Sequence, residues 1–425
     1  KNVQEWTFDI FRLSELTSKK PLYHTGYQLF YDMGLLKDPD LKFDSHVFKQ
    51  FLVQAESAYV DNPYHNSLHG GDVAQAAAHF LQAIKEAFPS RDKFPLGFSS
   101  LEVSALIFAG LCHDIGHPGS NNAFQIASST PLAMCYNDKS VLENFHASEA
   151  LTILKQPQYN FISHMPEASQ RVFRFLVIEM ILATDLEHHR EFIHQIELKL
   201  KECAEQIGLE EKDIEPDGKQ QRGSLPGSRA LMEELTKTAE GRLLLMKLIL
   251  KCADISHPAR PLKIHKHWCR LIQEEFFQQG DKEAELGLPI SRGMDRKLAN
   301  PQAIAKGNVG FIQFIVQPLF NLFTARVRTP QFSRNIDSSL KYWQKSAAKK
   351  KKINTHTGER RKKQQDDDNK KKTSSLDKDQ PSSGSAPKAA EKAAKKTKKT
   401  KKSEKDSVEI PELHTQQEQI DAVDI

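Results

Sequence analysis

The sequence predicts an all-α fold, and three observations support this prediction. Apolar residues recur at the helical period of about 3.6 residues from the start of the chain to about residue 345. Runs of alternating Val, Ile and Thr, which would indicate strands, are missing from the sequence. Pro118 and Pro258 each follow an apolar periodic segment, as proline does at helix ends. We therefore expect many helices, most of them short.

The strongest periodicity lies in five segments, which we predict to be helices. Residues 44–60 place Phe48, Phe51 and Leu52 on one face. Residues 99–117 open with a serine that suits an N-cap. The remaining three segments span 241–257, 263–281 and 307–327.

Composition divides the chain into two parts. We predict one folded domain over residues 1–345, interrupted by polar loops at 210–229 and 280–307. Loops of that length are usually functional or mobile. Residues 346–425 are rich in Lys and carry almost no large apolar side chains. Because such a segment cannot bury enough surface to offset its ordering entropy, we predict a disordered Lys-rich tail.

Bulk composition narrows the class of protein. The net charge of +5 comes largely from the tail and supports no specific nucleic-acid partner; the tail is expected to be solvated, with attraction to an anionic membrane surface as the alternative. Five cysteines without a C-x-x-C motif indicate reduced thiols and a cytoplasmic location. The sequence lacks an apolar run long enough to span a bilayer. Because it starts without Met, we expect a fragment whose upstream regulatory or membrane module is missing. Whether the protein forms a homodimer is left open by the sequence.

Four short stretches concentrate histidine and acidic residues. His65 and His69 are four residues apart, as are His113 and His117, and on a helix this spacing places each pair on one face. The remaining members are Asp114, Glu143, His146 and Asp254. Any one of these residues alone is more often a surface or hydrogen-bonded side chain than a metal ligand.

The positions of these residues favour a metal site. The segments that end at Asp114 and Asp254 each run an apolar helix into a carboxylate, whose burial is costly unless it is paired or binds a metal. Histidine and aspartate together form a mixed nitrogen and oxygen set that suits zinc and other divalent ions. A carboxylate such as Asp114 can bridge two ions, and ions about 3.5–4 Å apart can clamp a displacement at phosphorus. The residues alone thus indicate a dinuclear metal hydrolase of a phosphate ester.

Several longer motifs occur in a fixed order: YHN, HD…HPG, YND.SVLEN.H, ILATD, DISHP, EEFF.QGDKE and VGFI.FIV.PLF. Together they resemble the catalytic domain of class I 3',5'-cyclic nucleotide phosphodiesterases, within the HD metal-phosphohydrolase superfamily. The resemblance covers about residues 1–330, and the DISHPA and EEFFQQGDKE pieces look closest to the calmodulin-stimulated subfamily. It implies a compact fold of about sixteen helices and makes residues 1–345 the catalytic domain.

The resemblance also implies two divalent ions, usually a tightly held zinc and a magnesium or manganese. Four residues match the ligands of the tight ion: His69, His113, Asp114 and Asp254. Asp114 also matches the bridge to the second ion. His65 matches the general acid that protonates the O3′ leaving group, and the nucleophile would be a hydroxide that bridges the metals.

Other matched positions surround this centre. His117, Glu143 and Thr184 match residues that hold metal-bound water. Five positions match the nucleotide pocket: Tyr64, His257, Ile272, Asn308 and Phe311. Ile272 and Phe311 would sandwich the purine, although without the resemblance plain core packing would be the preferred interpretation.

Three positions differ from the family pattern. Asn308 stands where the family has Gln and is one methylene shorter, which reduces its reach toward the purine edge. Phe145 replaces the first His of an ENHH motif, and Gly116 replaces a usual acidic residue. None of the three removes a metal ligand. We therefore expect hydrolysis of cyclic nucleotides to 5'-nucleoside monophosphates, with the preference between cyclic GMP and cyclic AMP left open.

Three other functions stay as alternatives. One is an HD-type phosphohydrolase of another nucleotide, against which the purine clamp and the YHN motif argue. A second is a catalytically weak module that senses cyclic nucleotide, favoured only by Asn308 and Phe145. The last is a nucleic-acid binder acting through the tail, which lacks interleaved aromatic residues.

Overall fold

Helices account for all the regular structure in residues 3–210 and 227–349, the part of the chain that the computed structural model describes. Within these ranges there are sixteen α-helices, joined by turns, short 3₁₀ segments and one π-helical segment. The predicted all-α class is confirmed.

The helix bounds follow the chain in two groups. Ten helices lie before residue 210: α1 (Ile10–Leu16), α2 (Pro21–Asp32), α3 (Ser45–Ala58), α4 (Ser67–Ala87), α5 (Ser100–Cys112), α6 (Asn122–Ala127), α7 (Pro131–Tyr136), α8 (Val141–Lys155), α9 (Glu167–Leu182) and α10 (His189–Gln206). Six follow residue 227: α11 (Ser228–Thr236), α12 (Ala239–Asp254), α13 (Leu262–Glu285), α14 (Pro301–Phe311), α15 (Gln317–Thr324) and α16 (Pro330–Ala348). The π-helical segment, Ile312–Val316, joins α14 to α15.

Side-chain caps fix the starts of the central helices. Ser99 and Glu102 form a reciprocal capping box at the start of α5, so two otherwise unpaired backbone N–H groups are satisfied. Asn66 caps α4 by accepting from the backbone of Leu68 and His69. These caps place the first residue of each helix independently of its packing.

The core is centred on α5. Every residue from Glu102 to Cys112 is buried, as expected for a helix that is apolar on all sides. Helix α4 packs against α5, and Gly110 permits the close approach, because a Cβ there would lie 2.9 Å from the Cα of Ala74. Helices α2, α9 and α12 pack around this pair. The start of α4 and the ends of α5 and α12 therefore lie beside the same core.

Two histidine pairs do not lie on helical faces as their spacing predicted. Helix α5 ends at Cys112, and the following residues form a turn in which Gly116 has a φ of +75°. Glycine adopts this left-handed conformation without the strain that a Cβ would bring. Helix α4 begins at Ser67 because Asn66 caps it, so His65 precedes the helix. The two histidine pairs thus share a four-residue spacing but differ in backbone geometry.

Other predicted boundaries shift by several residues. The loop expected over 280–307 is shorter, because α13 continues to Glu285 and α14 begins at Pro301. The helix expected over 307–327 is interrupted by the π-helical segment. Helix α16 reaches Ala348, past the predicted domain boundary at 345.

Most of the loop predicted at 210–229 and nearly all of the predicted tail lie outside the described residues. All five cysteines are free thiols, in agreement with the predicted lack of disulfides. Among the described helices, none has the length and hydropathy of a bilayer span.

Candidate metal centre

Three helix ends bring four metal-type side chains together. His69 lies in the first turn of α4, His113 and Asp114 directly follow α5, and Asp254 is the last residue of α12. One nitrogen or oxygen atom from each side chain lies within 4.8 Å of those of the other three. The fold thus unites the four residues that the sequence analysis selected as ligands.

The donor atoms fit a bound cation. Asp114 Oδ2 is buried, makes no hydrogen bond to a described residue, and lies 3.1 Å from His113 Nε2 and 3.3 Å from His69 Nε2. His113 Nδ1 lies 3.0 Å from the Gly110 carbonyl, which can only accept, so Nδ1 carries a proton and Nε2 is the nitrogen that can hold either a second proton or a metal ion. Asp254 Oδ1 lies 3.0 Å from His69 Nε2. A divalent ion would satisfy all of these atoms.

The surroundings of the cluster also favour positive charge. Helices α5 and α12 both present their C-terminal ends, which carry partial negative charge, to this point. Burial disfavours a charged His113, yet the carboxylates of Asp114 and Asp254 hold its pKa well above the ordinary histidine value. The site therefore attracts a cation, whether a proton or a metal ion.

His65 lies beside the cluster and pairs with Glu275 of α13. Its Nδ1 makes a short ion pair with Glu275 Oε1. The other carboxylate oxygen accepts the backbone N–H groups of Tyr64 and His65 at 2.8 and 3.0 Å. Burial disfavours the charged imidazole, but the Glu275 carboxylate raises the pKa of His65 to about 9. His65 is therefore protonated at neutral pH, and its Nε2 proton is not used by Glu275.

The three residues predicted to hold metal-bound water lie on separate elements. His117 stacks on His65, with ring centroids 4.1 Å apart. Glu143 lies in the first turn of α8, where burial and nearby acidic groups, Asp114 included, raise its pKa to about 7. Thr184 follows α9 and donates its hydroxyl to the carbonyl three residues earlier at 2.7 Å.

The residues predicted for the nucleotide pocket extend from the cluster toward α14. The Tyr64 ring lies 4.7 Å from the His69 ring. His257 and Phe311 are nearly parallel, with centroids 5.8 Å apart. Ile272 and Phe311 are both only partly buried, so each has a surface available to a ligand.

A chain of hydrogen bonds fixes the tautomer of His257. Trp343 Nε1 donates to His265 Nε2 at 2.7 Å, so His265 has its proton on Nδ1. That nitrogen lies 2.9 Å from His257 Nδ1, which must then accept. His257 therefore carries its own proton on Nε2.

Asn308, which replaces the family glutamine, has local partners for both ends of its amide. Its oxygen accepts from the Cys269 thiol at 3.0 Å, and its nitrogen donates to the Ile304 carbonyl at 2.9 Å. One donor and one acceptor position of the amide are left for a ligand. The orientation of the amide is thus set by its neighbours in α13 and α14.

Comparison with known proteins bears on this arrangement. Residues 64–338 match the family model described as 3'5'-cyclic nucleotide phosphodiesterase, which is well over half of the chain. The chain belongs to this family. The predicted resemblance to class I phosphodiesterase catalytic domains is confirmed.

Curated phosphodiesterases resemble the chain over most of its length. It is 32% identical over 347 residues to the mouse (Mus musculus) "High affinity cAMP-specific and IBMX-insensitive 3',5'-cyclic phosphodiesterase 8A". It is 35% identical over 320 residues to the Drosophila melanogaster "Dual specificity calcium/calmodulin-dependent 3',5'-cyclic nucleotide phosphodiesterase 1". The chain covers 39% and 33% of these two relatives, so it spans only about one third to two fifths of their length. Closeness to the calmodulin-stimulated subfamily stays a prediction.

Solved phosphodiesterase structures share the fold. The phosphodiesterase domain of the RhoPDE fusion protein from the choanoflagellate Salpingoeca rosetta matches with a TM-score of 0.67 and 26% identity. The match covers 82% of this chain and 96% of that domain.

Glu275 lies within the EEFF.QGDKE motif but had no predicted role in the site. Glu275, Gln279 and Glu283 are buried at helical spacing on one side of α13. A stripe of polar residues is normally a solvated face, and Glu274 beside it is indeed exposed. Glu275 differs from Glu274 only in its packing: its carboxylate accepts backbone N–H groups from the loop before α4.

Proposed function

We propose that the chain hydrolyses 3',5'-cyclic nucleotides to 5'-nucleoside monophosphates with two divalent ions, zinc and magnesium or manganese. The observation that carries this proposal is the convergence of His69, His113, Asp114 and Asp254 around the buried Asp114 Oδ2, which lies 3.1 and 3.3 Å from two histidine Nε2 atoms, beside a protonated His65. When bound, such ions supply Lewis acidity toward the phosphate and lower the pKa of water.

The side chains of the centre have distinct proposed roles. His69, His113, Asp114 and Asp254 hold the tight ion, and Asp114 also contacts the second. His65 is the general acid: Glu275 holds its Nδ1, so Nε2 delivers the proton to the O3′ leaving group.

Surrounding residues orient water and the nucleotide. His117, Glu143 and Thr184 are proposed to position water around the ions. The pocket residues are proposed to be Tyr64, His257, Ile272, Asn308 and Phe311. The N–H group on His257 Nε2 suits hydrogen bonding to N7 of a purine base. Adenine and guanine share this acceptor, which supports both cyclic AMP and cyclic GMP as substrates.

The test is hydrolysis of each cyclic nucleotide by the purified chain, before and after a chelator, and after zinc and magnesium are restored. Asp254→Asn and His113→Ala should abolish turnover, because each removes a ligand. His188→Ala, which changes a histidine paired with Glu191 on the surface, is the control. Near-native turnover in either ligand variant would contradict the assignment.

Two outcomes would favour the alternative functions. Saturable binding of cyclic nucleotide without turnover, in protein loaded with both ions, would indicate a sensing module. Turnover of other nucleotides alone would indicate an HD-type phosphohydrolase with a different substrate. The cytoplasmic location, the upstream module, homodimerisation and the membrane affinity of the tail stay predictions.

A further inference from the structure

Lys251 is a buried cation to which the proposed reaction gives no role. It lies in α12, three residues before Asp254, and only 2% of its surface is exposed. Its Nζ donates to the carbonyl of Ala183 at 2.6 Å and to that of Asp185 at 2.9 Å. These two carbonyls flank Thr184. Lys251 therefore joins the helix that ends in a proposed metal ligand to a turn that carries a proposed water-holding residue.

The connection continues from this turn to α8. The Asp185 carboxylate accepts the hydroxyl of Ser140 at 2.7 Å and the backbone N–H of Glu187 at 2.8 Å. Ser140 immediately precedes α8, whose first turn contains Glu143. One network of hydrogen bonds thus runs from α12 through the Thr184 turn to the helix of Glu143.

The charge of Lys251 is only partly offset by its surroundings. Burial lowers its pKa to about 8, against the opposing effect of the carboxylates of Asp254, Asp185 and Glu143. The ammonium also lies 5.6 Å from the ring centroid of Phe192. Two neutral carbonyls compensate the desolvation of an ammonium group incompletely. An apolar side chain of similar size would fill this space without the cost of desolvating an ammonium group.

We propose that Lys251 is a positioning residue that fixes the turn 183–185 against α12 and so holds Thr184 and Glu143 in register with Asp254. This inference rests on the proposed function, in which Thr184 and Glu143 position water around the ions. Lys251 itself touches neither the substrate nor an ion. Its effect is transmitted through the carbonyls of the turn and through Asp185.

The test compares Lys251→Met, which removes both hydrogen bonds at similar volume, with Lys247→Met. Lys247 lies one turn earlier in α12 and pairs with Glu179 near the surface at 2.6 Å, so it is a matched control. In the full chain we expect Lys251→Met to speed amide hydrogen exchange in residues 183–188, with and without metal. The magnesium concentration for half-maximal turnover should rise about 10- to 100-fold, a typical effect of removing an outer partner of a metal site. Zinc content should not change, and Lys247→Met should change neither quantity.

Unchanged hydrogen exchange and unchanged magnesium dependence in Lys251→Met would overturn the proposal, as would equal effects in Lys247→Met. If Lys251→Met does not fold, Lys251→Gln, which keeps one donor group without the charge, is judged by the same two measurements. Lys251→Arg, with charge and donors retained, should recover part of the magnesium affinity. A wild-type chain that hydrolyses no cyclic nucleotide would refute the proposed function instead, and the exchange measurement would still decide whether Lys251 fixes the turn.

Discussion

Two histidines of the candidate centre differ in charge environment because their Nδ1 atoms meet different partners. His113 Nδ1 donates to a carbonyl, so its Nε2 faces the carboxylates of Asp114 and Asp254, where it can hold a proton or a metal ion. His65 Nδ1 faces the Glu275 carboxylate, which keeps the ring charged and supplies a proton donor. Residue type alone gives the same expectation for both. The partner atom is what separates the proposed ligand from the proposed acid.

Glu275→Gln should move the alkaline limb of activity to lower pH. The carboxylate raises the pKa of His65 to about 9, so the acid is available up to that pH. Without the charge the pKa falls to or below the ordinary value of about 6.5, and turnover at pH 8 should drop by about tenfold or more. A pH profile of kcat measures this effect. Glu274→Gln, which changes an exposed neighbour paired with Arg296, is the control, and an unshifted limb in Glu275→Gln would refute the role of the pair.

The same ion pair makes stability depend on pH. Because the pKa of folded His65 is raised, its contribution is fully present below the ordinary histidine pKa and is lost as pH rises through about 9. The pKa of Glu275 is lowered, chiefly by His65 and against the effect of burial, so its contribution is lost at strongly acidic pH. The pair therefore stabilises the fold most in weakly acidic solution.

Gly116 and Phe145, two departures from the family pattern, are in contact. A Cβ at position 116 would lie 2.9 Å from Phe145 Cε1, and the backbone there has a φ of +75°. Gly116→Ala should therefore cost about 1–2 kcal/mol of backbone strain plus a clash with the ring. In a Phe145→Ala background only the strain should remain. Urea denaturation of the four proteins measures the coupling, and strictly additive effects would show that the two residues do not interact.

Helix ends were harder to predict than helices. Apolar periodicity located α5, but it continued through Ile115, which is fully buried in the turn beyond the helix. The helix ends at Cys112, and the turn that follows contains Gly116 with a left-handed backbone in contact with Phe145, a contact that exists only in the folded chain. Asp114 and Asp254 were singled out from apolar segments that end in charge, whereas the full set of four ligand positions, His69 included, was implied by the resemblance to phosphodiesterases. Lys251 was not singled out, because one lysine in an apolar helix is indistinguishable in sequence from a solvated one.

Gly110→Ala should force α4 and α5 apart. The new methyl group would lie 2.9 Å from the Cα of Ala74, which is backbone and cannot rotate away. We expect a loss of about 1–3 kcal/mol in the free energy of unfolding, as for other overpacked cores. Because His69 lies on α4 and His113 directly follows α5, zinc affinity should fall as well. Thermal unfolding and zinc titration measure both effects.

Gly310 provides a matched control for that substitution. It lies in α14, and the nearest atom to a Cβ there is a Phe314 side-chain carbon at 4.0 Å. Gly310→Ala should leave stability unchanged or raise it by up to about 1 kcal/mol, because alanine favours the helix. Equal destabilisation by the two substitutions would contradict close packing at Gly110.

At the scale of the whole molecule, buried polar contacts tie the N-terminal segment to the metal centre. Arg260, fully buried six residues after Asp254, donates to the carbonyl of Trp6 at 3.1 Å and to the carboxylate of Asp72 in α4 at 2.9 Å. Its guanidinium lies 4.0 Å from the Trp6 ring centroid. The chain just after α12 is therefore held to α4 and to the first residues of the domain, which fixes α4 and α12, two of the helices that position the proposed ligands.

Metal binding should consequently stabilise the entire fold rather than one loop. The four proposed ligands come from α4, α5 and α12, so unfolding any of these helices releases the ion. Zinc at about 1,000 times its dissociation constant should add about 4 kcal/mol, which corresponds to a rise of roughly 6 °C in Tm for a folded domain of this size. Calorimetry with chelator and then with restored zinc measures this shift. Asp254→Asn should lose it, whereas Asp281→Asn, at an exposed carboxylate paired with Arg296, should keep it. Asp254→Asn protein that zinc stabilises as strongly as wild type would show that Asp254 is not a ligand, and the centre would then have to be assigned to other side chains.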